Sequence, residues 1–251
     1  MKNSKLLIII PARSGSSRIK NKNLRKIGTK SLLEIKIKTC LKVKNAKTYV
    51  STNSKKIANK AIKFGALVPY LRPKKYSTSR ASTLSCVLDL IRFLKKENIH
   101  VPEYIGIFPP TNPFLKTTTI NKSFRKLVNN REKINSIIGF TKATDHPFQY
   151  ISFKKNKINF NLIKYMNKKY SDLERTQDWP KAYVASSSLK IVKTSYLMKY
   201  EKNFSSTINY KTFDINSSIG INIDTFENFD INDKFDLIIA DLIYKTIKNK
   251  F

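Results

Sequence analysis

Residues Lys5–Ile10 read Lys-Leu-Leu-Ile-Ile-Ile and run directly into Pro11. No polar residue interrupts the apolar run, so a strand built from it has no face to give to water. Such a strand belongs inside a parallel sheet with helices packed on both sides. The run is far shorter than the roughly 20 apolar residues of a membrane span, and no other run approaches that length. Arg13 follows too soon for a secretory signal. The segment therefore predicts an α/β chain, which at 251 residues is read as one domain, 1–251.

The following sequence keeps the rhythm that such a sheet requires. Ser31 is placed to cap a helix bearing Leu33, Ile37, Cys40 and Leu41, and Thr48–Ser51 reads as a strand. Ser54 is placed to cap a second helix with Ile57, Ala58, Ala61 and Ile62 on one face, ended by Gly65. Ala66–Leu71 reads as extended, and Leu84, Val87, Leu88, Ile91 and Leu94 mark a third helix. Tyr104–Phe108 is a strand, Ile120–Val128 a helix and Ser136–Phe140 a strand. Tyr183–Val192 and Ser218–Ile223 are extended, and Phe235–Ile247 is a helix with Phe235, Ile238, Ile239, Leu242 and Ile243 inward. Strands alternating with helices at these intervals predict three layers around a mostly parallel sheet. One segment breaks the pattern. Gln149–Phe153 and Lys157–Asn161 flank Lys154-Lys155-Asn156 as a hairpin, within an inserted stretch of about 144–181.

Charge and cysteine narrow the function. Two cysteines, Cys40 and Cys86, make neither a disulfide framework nor a four-cysteine zinc site; both read as core residues of a chain in a reducing, cytoplasmic compartment. The net charge of +32 suggests a polyanionic partner. Yet 40 of the 49 basic residues are lysine and only 9 are arginine, and the lysines are scattered over nearly every segment. Lys, Ile and Asn together exceed a third of the chain, the bias of A/T-rich codons. A nucleic-acid binder concentrates its base on one face and adds arginine for bidentate contacts, so no nucleic-acid partner is expected, and no membrane.

The loop after the first strand carries the densest chemistry. Pro11-Ala12-Arg13-Ser14-Gly15-Ser16-Ser17-Arg18 is followed by Lys22-Asn23. In open α/β sheets ligands bind outside the carboxyl ends of the strands. Gly15 allows close backbone approach, Ser16 offers a hydroxyl and an N–H, and Arg13, Arg18 and Lys22 can neutralise phosphates. The loop is neither the dinucleotide fingerprint nor the Walker A pattern. On chemistry alone a phosphate loop and a solvated basic turn both fit it.

The loop resembles that of the acylneuraminate cytidylyltransferases, the CMP-N-acetylneuraminate (CMP-sialic acid) synthetase family, and of the related 3-deoxy-manno-octulosonate cytidylyltransferases. Further similar elements follow in order: Val50-Ser51-Thr52-Asn53, Gly65-Ala66, Leu71-Arg72-Pro73, Ala81-Ser82-Thr83, Phe108-Pro109-Pro110-Thr111-Asn112-Pro113, His146-Pro147, Arg175-Thr176-Gln177-Asp178-Trp179-Pro180 with Tyr183, and Ile221-Asn222-Ile223-Asp224-Thr225. The resemblance implies a Rossmann-like nucleotidyltransferase fold and CTP-dependent activation of a sialic acid-like 2-keto sugar acid, with release of pyrophosphate, for surface polysaccharide. It implies nucleotide contacts from Ala12, Arg13, Gly15, Ser16, Arg18, Lys22, Asn23, Arg72 and Ser82, with Arg13 and Lys22 catalytic. It gives Thr111, Arg175, Gln177 and Tyr183 to the sugar acid, Asn222 and Asp224 to Mg²⁺, and the hairpin insertion to homodimerisation or a substrate lid.

This chain departs from the family pattern at particular places. Asn222 stands where the first aspartate of an Asp-x-Asp pair is common, Pro109 where a glutamine is, Ser79 where an aspartate is, and Ala185-Ser186-Ser187 in place of Asn-Gly. Asn222 and Pro109 motivate one alternative, a nucleotide-binding member that does not turn over; the charge motivates another, a basic nucleic-acid-binding protein. His146 and His100 read as packing or solvated histidines rather than catalytic bases, and Asp224 also reads as a helix N-cap.

Overall fold

The structure is a computed structural model that describes residues 4–16, 18–150, 152–154, 157–159, 175–199 and 215–247. Its main sheet joins β1 (Leu6–Pro11), β4 (Ala46–Ser51), β5 (Tyr104–Ile107), β6 (Ser136–Lys142), β9 (Tyr183–Lys193) and β10 (Ser218–Asn222). The spatial order is β10-β6-β9-β5-β1-β4. β1 pairs in parallel with β4 and β5, and β10 with β6, whereas β9 runs antiparallel between β5 and β6. The sheet is thus mixed but mostly parallel, and the expected α/β class holds.

β1 shows why its sequence is apolar throughout. Leu6, Ile8 and Ile10 face a cluster with Leu33, Ile37 and Cys40 of α1 (Leu32–Leu41), Ile57 and Ala61 of α2 (Lys55–Lys63), and Ile120, Phe124 and Leu127 of α4 (Thr117–Asn129). Leu7 and Ile9 face the other side, against Val87, Leu88, Ile91 and Leu94 of α3 (Thr83–Lys96) and Tyr196 and Leu197 of α5 (Thr194–Lys199). A strand with a core on each face has no polar position to spare. Local chemistry starts the helices. Ser31 and Ser54 accept at Oγ from Glu34 N and Ile57 N as N-caps.

A third, smaller cluster packs α7 (Lys234–Ile247) onto the loop after β1, with Ile19, Ile27, Leu32, Phe114 and Ile231. Here the expected helix face is corrected. Leu237, Ala240, Ile243 and Tyr244 point inward, while Phe235, Ile238 and Leu242 are 69%, 59% and 55% exposed. The apolar residues of this helix cover more than one face, and the fold buries the side bearing Ala240, where the helix can approach closely. Tyr244 lies against Gly28, where a Cβ would meet its ring at 2.6 Å and where φ is +57°. Gly28 turns between the short antiparallel strands β2 (Lys26–Ile27) and β3 (Lys30–Ser31), a ribbon inside what the sequence presents as loop.

Two further differences are local. Ala66–Leu71 forms no strand; only Leu67 bridges to Tyr49 of β4. Within the described part of the expected hairpin, β7 (Ser152–Lys154) pairs antiparallel with β8 (Lys157–Asn159), while Gln149 belongs to a one-turn 3-10 helix, Pro147–Gln149, rather than to the first arm. Residues 151, 155–156 and 160–174, and with them much of the inserted stretch, lie outside the described residues. His146 ties the two ends of that stretch together. Its Nδ1 accepts from Phe148 N, its Nε2 lies 2.8 Å from Pro180 O, and its ring packs against Phe148 and Trp179. His146 is thus a packing residue.

One core position is chemically unusual. Lys36 of α1 is fully buried and its Nζ has no hydrogen-bond partner. Burial holds its pKa down to about 8, opposed by nearby Cys40 and Glu227. Burial also pushes the Cys40 thiol up to about 12, which leaves it an inert core residue. Glu227, in the one-turn helix α6 (Thr225–Asn228), is buried as well; it accepts from Lys116 N at the start of α4 and from Thr119 Oγ1.

Candidate active site

The carboxyl ends of β1 and β5 open into a cleft of about 380 Å³ lined by Pro11, Arg13, Ser16, Arg18, Lys22, Asn23, Ser79, Thr111 and Asn232. β1 ends at Pro11, and the next residue, Ala12, is fully buried with its N–H donating to Ser51 O of β4. The chain then leaves the sheet. Gly15 sits at φ +79° with open space where a Cβ would lie, so the position calls for glycine by conformation and not for room. Two asparagines hold the loop. Asn53, following β4, accepts at Oδ1 from Ser14 N (2.9 Å), and Asn23 Nδ2 donates to Arg13 O (2.9 Å). Arg13 Nη1 donates to Gly15 O at 3.0 Å.

Lys22 is half-buried. Its Nζ donates to Ile231 O at 2.8 Å, reaching across to the segment before α7. Its pKa is lowered, first by burial and further by Arg18 and Arg13, and is supported from the other side by Asp230 and Asp236. The cleft therefore presents Arg13, Arg18 and Lys22 together, in partly dry surroundings where charge–charge attraction is stronger than in water. Such a set suits a polyphosphate: guanidiniums for bidentate contact, an ammonium as a point charge.

The structure brings Arg13, Ser16, Arg18, Lys22, Asn23 and Thr111 into this one cleft, while Ala12 and Gly15 lie in the same loop outside its lining. It leaves the other expected site residues outside the lining. Arg72 is 5% exposed, donates from Nε to Ser77 Oγ at 3.2 Å, and has its Nη2 buried without a partner. Ser82 Oγ accepts from Ser85 N as the N-cap of α3. Arg175 pairs at 3.8 Å with Asp178, and Gln177 is exposed. Tyr183 is exposed and meets Phe140 edge-on. Asn222 and Asp224 stand exposed at the carboxyl end of the edge strand β10, and Asp224 Oδ1 accepts from Phe226 N as the cap of α6. No group of three or more His, Cys, Asp or Glu among the described residues is arranged to hold a metal ion.

Other residues at or near the cleft were given no site role by the sequence. Asn232 lines it, and Asp230 and Asp236 set the field at Lys22. Asn112 is fully buried and donates from Nδ2 to Ser187 Oγ and Phe229 O, both at 3.1 Å. The available signal was modest: Asp230-Ile231-Asn232-Asp233 is a polar run just before an amphipathic helix, which reads first as capping.

A family model described as Cytidylyltransferase matches residues 7–238. Pseudaminic acid cytidylyltransferase of Campylobacter jejuni subsp. jejuni is 30% identical over 183 residues, covering 71% of this chain and 74% of that protein. CMP-N,N'-diacetyllegionaminic acid synthase of Legionella pneumophila is 34% identical over 117 residues, covering 46% of this chain; the chain spans 50% of that relative's length. Among solved structures, a CMP:2-keto-3-deoxy-manno-octonic acid synthetase complexed with CTP superposes with a TM-score of 0.68 at 11% identity, covering 97% of this chain and 99% of that one, a likeness of fold. No helix among the described residues is long and apolar enough to cross a membrane.

Proposed function

The chain belongs to the cytidylyltransferase family of nucleotidyltransferases, and from that premise we propose that it couples CTP to a nonulosonic acid, a sialic acid-like 2-keto sugar acid, and releases pyrophosphate. The observation that carries this reading is the convergence of Arg13, Arg18 and Lys22 on one cleft at the carboxyl ends of β1 and β5.

The anomeric hydroxyl of the sugar acid attacks the α-phosphorus of CTP, a new P–O bond forms, the bond to the β-phosphate oxygen breaks, and the hydroxyl proton passes to solvent or a neighbouring base. Little covalent chemistry falls to the protein in such a transfer; it positions the reactants and stabilises spreading negative charge. Arg13, Arg18 and Lys22 hold the triphosphate, with Arg13 and Lys22 facing the charge that grows on the departing pyrophosphate. Gly15 and Ser16 supply backbone N–H groups to the phosphates. Arg72 and Ser82 hold the nucleoside. Thr111, Arg175, Gln177 and Tyr183 serve the sugar acid.

For Mg²⁺ the donor set fits the ion's habits. One carboxylate and one amide oxygen, two residues apart and exposed, match an ion that takes few protein ligands and completes its shell with phosphates and water. Asn222 and Asp224 would hold it, and it would supply positive charge against the negative charge of the reacting phosphates. Assembly as a homodimer through the inserted hairpin belongs to the same proposal.

The test is pyrophosphate release with CTP and Mg²⁺ over a panel of 2-keto sugar acids, with ATP, GTP and UTP as controls. Release with CTP and one acid is expected. Binding of CTP without release on any acid would favour the non-turning-over alternative, and failure to bind CTP would overturn the reading.

A further inference from the structure

The loop that leads into α3 carries Ser79 into the cleft, and its neighbours in sequence hold it there. Arg72 Nε donates to Ser77 Oγ at 3.2 Å, and that hydroxyl donates to Pro73 O at 3.1 Å. Ala81 N donates to Thr78 Oγ1 at 3.1 Å, and Ser82 Oγ accepts from Ser85 N at 3.1 Å as the cap of α3. The loop is thus pinned on both sides of Ser79. These bonds engage Ser77, Thr78 and Ser82 and leave the Ser79 hydroxyl exposed, in one lining with Arg13, Arg18 and Lys22. That lining holds three cations and no carboxylate; Asp230 and Asp236 act on Lys22 without being part of it. Ser79 stands where the family pattern has an aspartate, and Asn222 likewise replaces an aspartate by a neutral residue. Both departures remove a negative charge from a place given to the phosphates or to Mg²⁺.

Resting on the nucleotidyltransferase reading, we propose that Ser79 is a specificity-determining residue that lets the cleft hold free CTP, without a metal ion. A carboxylate at this position would share the cleft with the triphosphate and repel it, in partly dry surroundings where water screens poorly. Such a site favours a triphosphate that arrives with a divalent cation, because a cation between the two negative groups relieves the repulsion. Serine removes the repulsion and offers an O–H to a phosphate oxygen, a charge-assisted hydrogen bond. The two guanidiniums and the ammonium then neutralise the triphosphate unopposed. Asn222 and Asp224 lie outside this lining, so what Ser79 sets is the binding of the nucleotide and not the metal's part in the chemical step.

The test is calorimetric titration of CTP in EDTA and, separately, with Mg²⁺, for wild type, Ser79→Asp and Ser79→Ala. Ser79 is exposed and the bonds that pin its loop do not use it, so both variants are expected to fold. Wild type is expected to bind CTP in EDTA. Ser79→Asp is expected to weaken that binding by at least about tenfold, the scale on which one neighbouring like charge moves an equilibrium, and Mg²⁺ should restore most of the loss. Ser79→Ala removes the hydroxyl and adds no charge; it should weaken CTP by roughly threefold to tenfold in both conditions, the scale of one hydrogen bond. Wild type that binds CTP with Mg²⁺ but not in EDTA would overturn the proposal and leave the function standing. Ser79→Asp that matches wild type in EDTA would overturn it as well, and so would a loss that Mg²⁺ does not relieve. Ser79→Ala that binds as wild type does would overturn the contact of the hydroxyl with the phosphate. Wild type that binds CTP in neither condition would overturn the function and this proposal with it.

Discussion

Replacing Lys36 by methionine is expected to make the protein more stable at neutral pH, and the structure gives the size. Lys36 is fully buried and its Nζ has no partner, so the folded chain holds an ammonium at a cost. Its pKa falls from 10.5 to about 8, chiefly through burial. At about 1.4 kcal/mol per unit, that difference is on the order of 3 kcal/mol against the fold below pH 8. The sign follows from proton counting. Between about pH 8 and 10.5 the unfolded chain keeps a proton that the folded chain has released, so wild-type stability rises through this window from that group. Methionine has similar length and no charge, and replacing a poorly compensated buried charge by an apolar isostere commonly stabilises by 1–4 kcal/mol. The expected gain is about 2–3 kcal/mol at neutral pH, shrinking as the pH climbs past 8. Urea denaturation of both proteins at a series of pH values measures it. The range just above pH 8 is the cleanest, because Cys40, raised from 9.0, begins to pull wild-type stability the other way above that value. A variant less stable than wild type at neutral pH would refute the reasoning, because it would mean that attraction to Glu227 outweighs desolvation. A gain that does not change with pH would refute it too, by showing that Lys36 is not the titrating group.

Gly15→Ala is expected to cost roughly 1–2 kcal/mol in denaturation, because φ +79° is strained for any L side chain even though space is open; a neutral result would show that the turn relaxes. Lys22→Met should weaken CTP in calorimetry by about tenfold or more, with a flatter salt dependence, since one of the cations of the cleft is gone. Asn222→Asp adds a carboxylate beside Asp224 and should lower the Mg²⁺ needed for half-maximal pyrophosphate release, whereas unchanged Mg²⁺ dependence would remove both residues from the metal assignment. Deleting 149–161 should convert a dimer to monomers in sedimentation, and a wild-type chain that is already monomeric would dismiss the hairpin as an arm.

The parts of the fold that were legible in the sequence are those where one residue type has one physical reason to be there. An apolar run with no polar position specified a strand buried on both faces, and β1 is that strand. Ser31 and Ser54 stood where side-chain oxygens satisfy helix N–H groups, and both do. What failed had more than one solution. The helix α7 offers apolar residues on two overlapping faces, and only the position of Gly28 beneath Tyr244 decides which is buried. Strand direction was equally hidden: nothing in the composition of β9 marks it as antiparallel, and its course depends on pairing with β5 and β6, far away in sequence. The cleft was half legible for the same reason. Arg13 to Asn23 are close in sequence and readable as a group, whereas Asn112, Ser187 and Asp230 come together only through the fold.

That division also separates the net charge from the site. Lysines are scattered over nearly every segment, and salt limits the reach of a surface charge to roughly 8 Å, so the sum of +32 says little about any one place. A surface built for polyanions in general would keep its carboxylates away from its cations. This chain has 17 acidic residues, and the fold brings Asp230 and Asp236 near enough to Lys22 to act on its charge. A carboxylate there weakens indiscriminate attraction to anions. A carboxylate in that position is the opposite of what a sliding, salt-driven grip on nucleic acid would select.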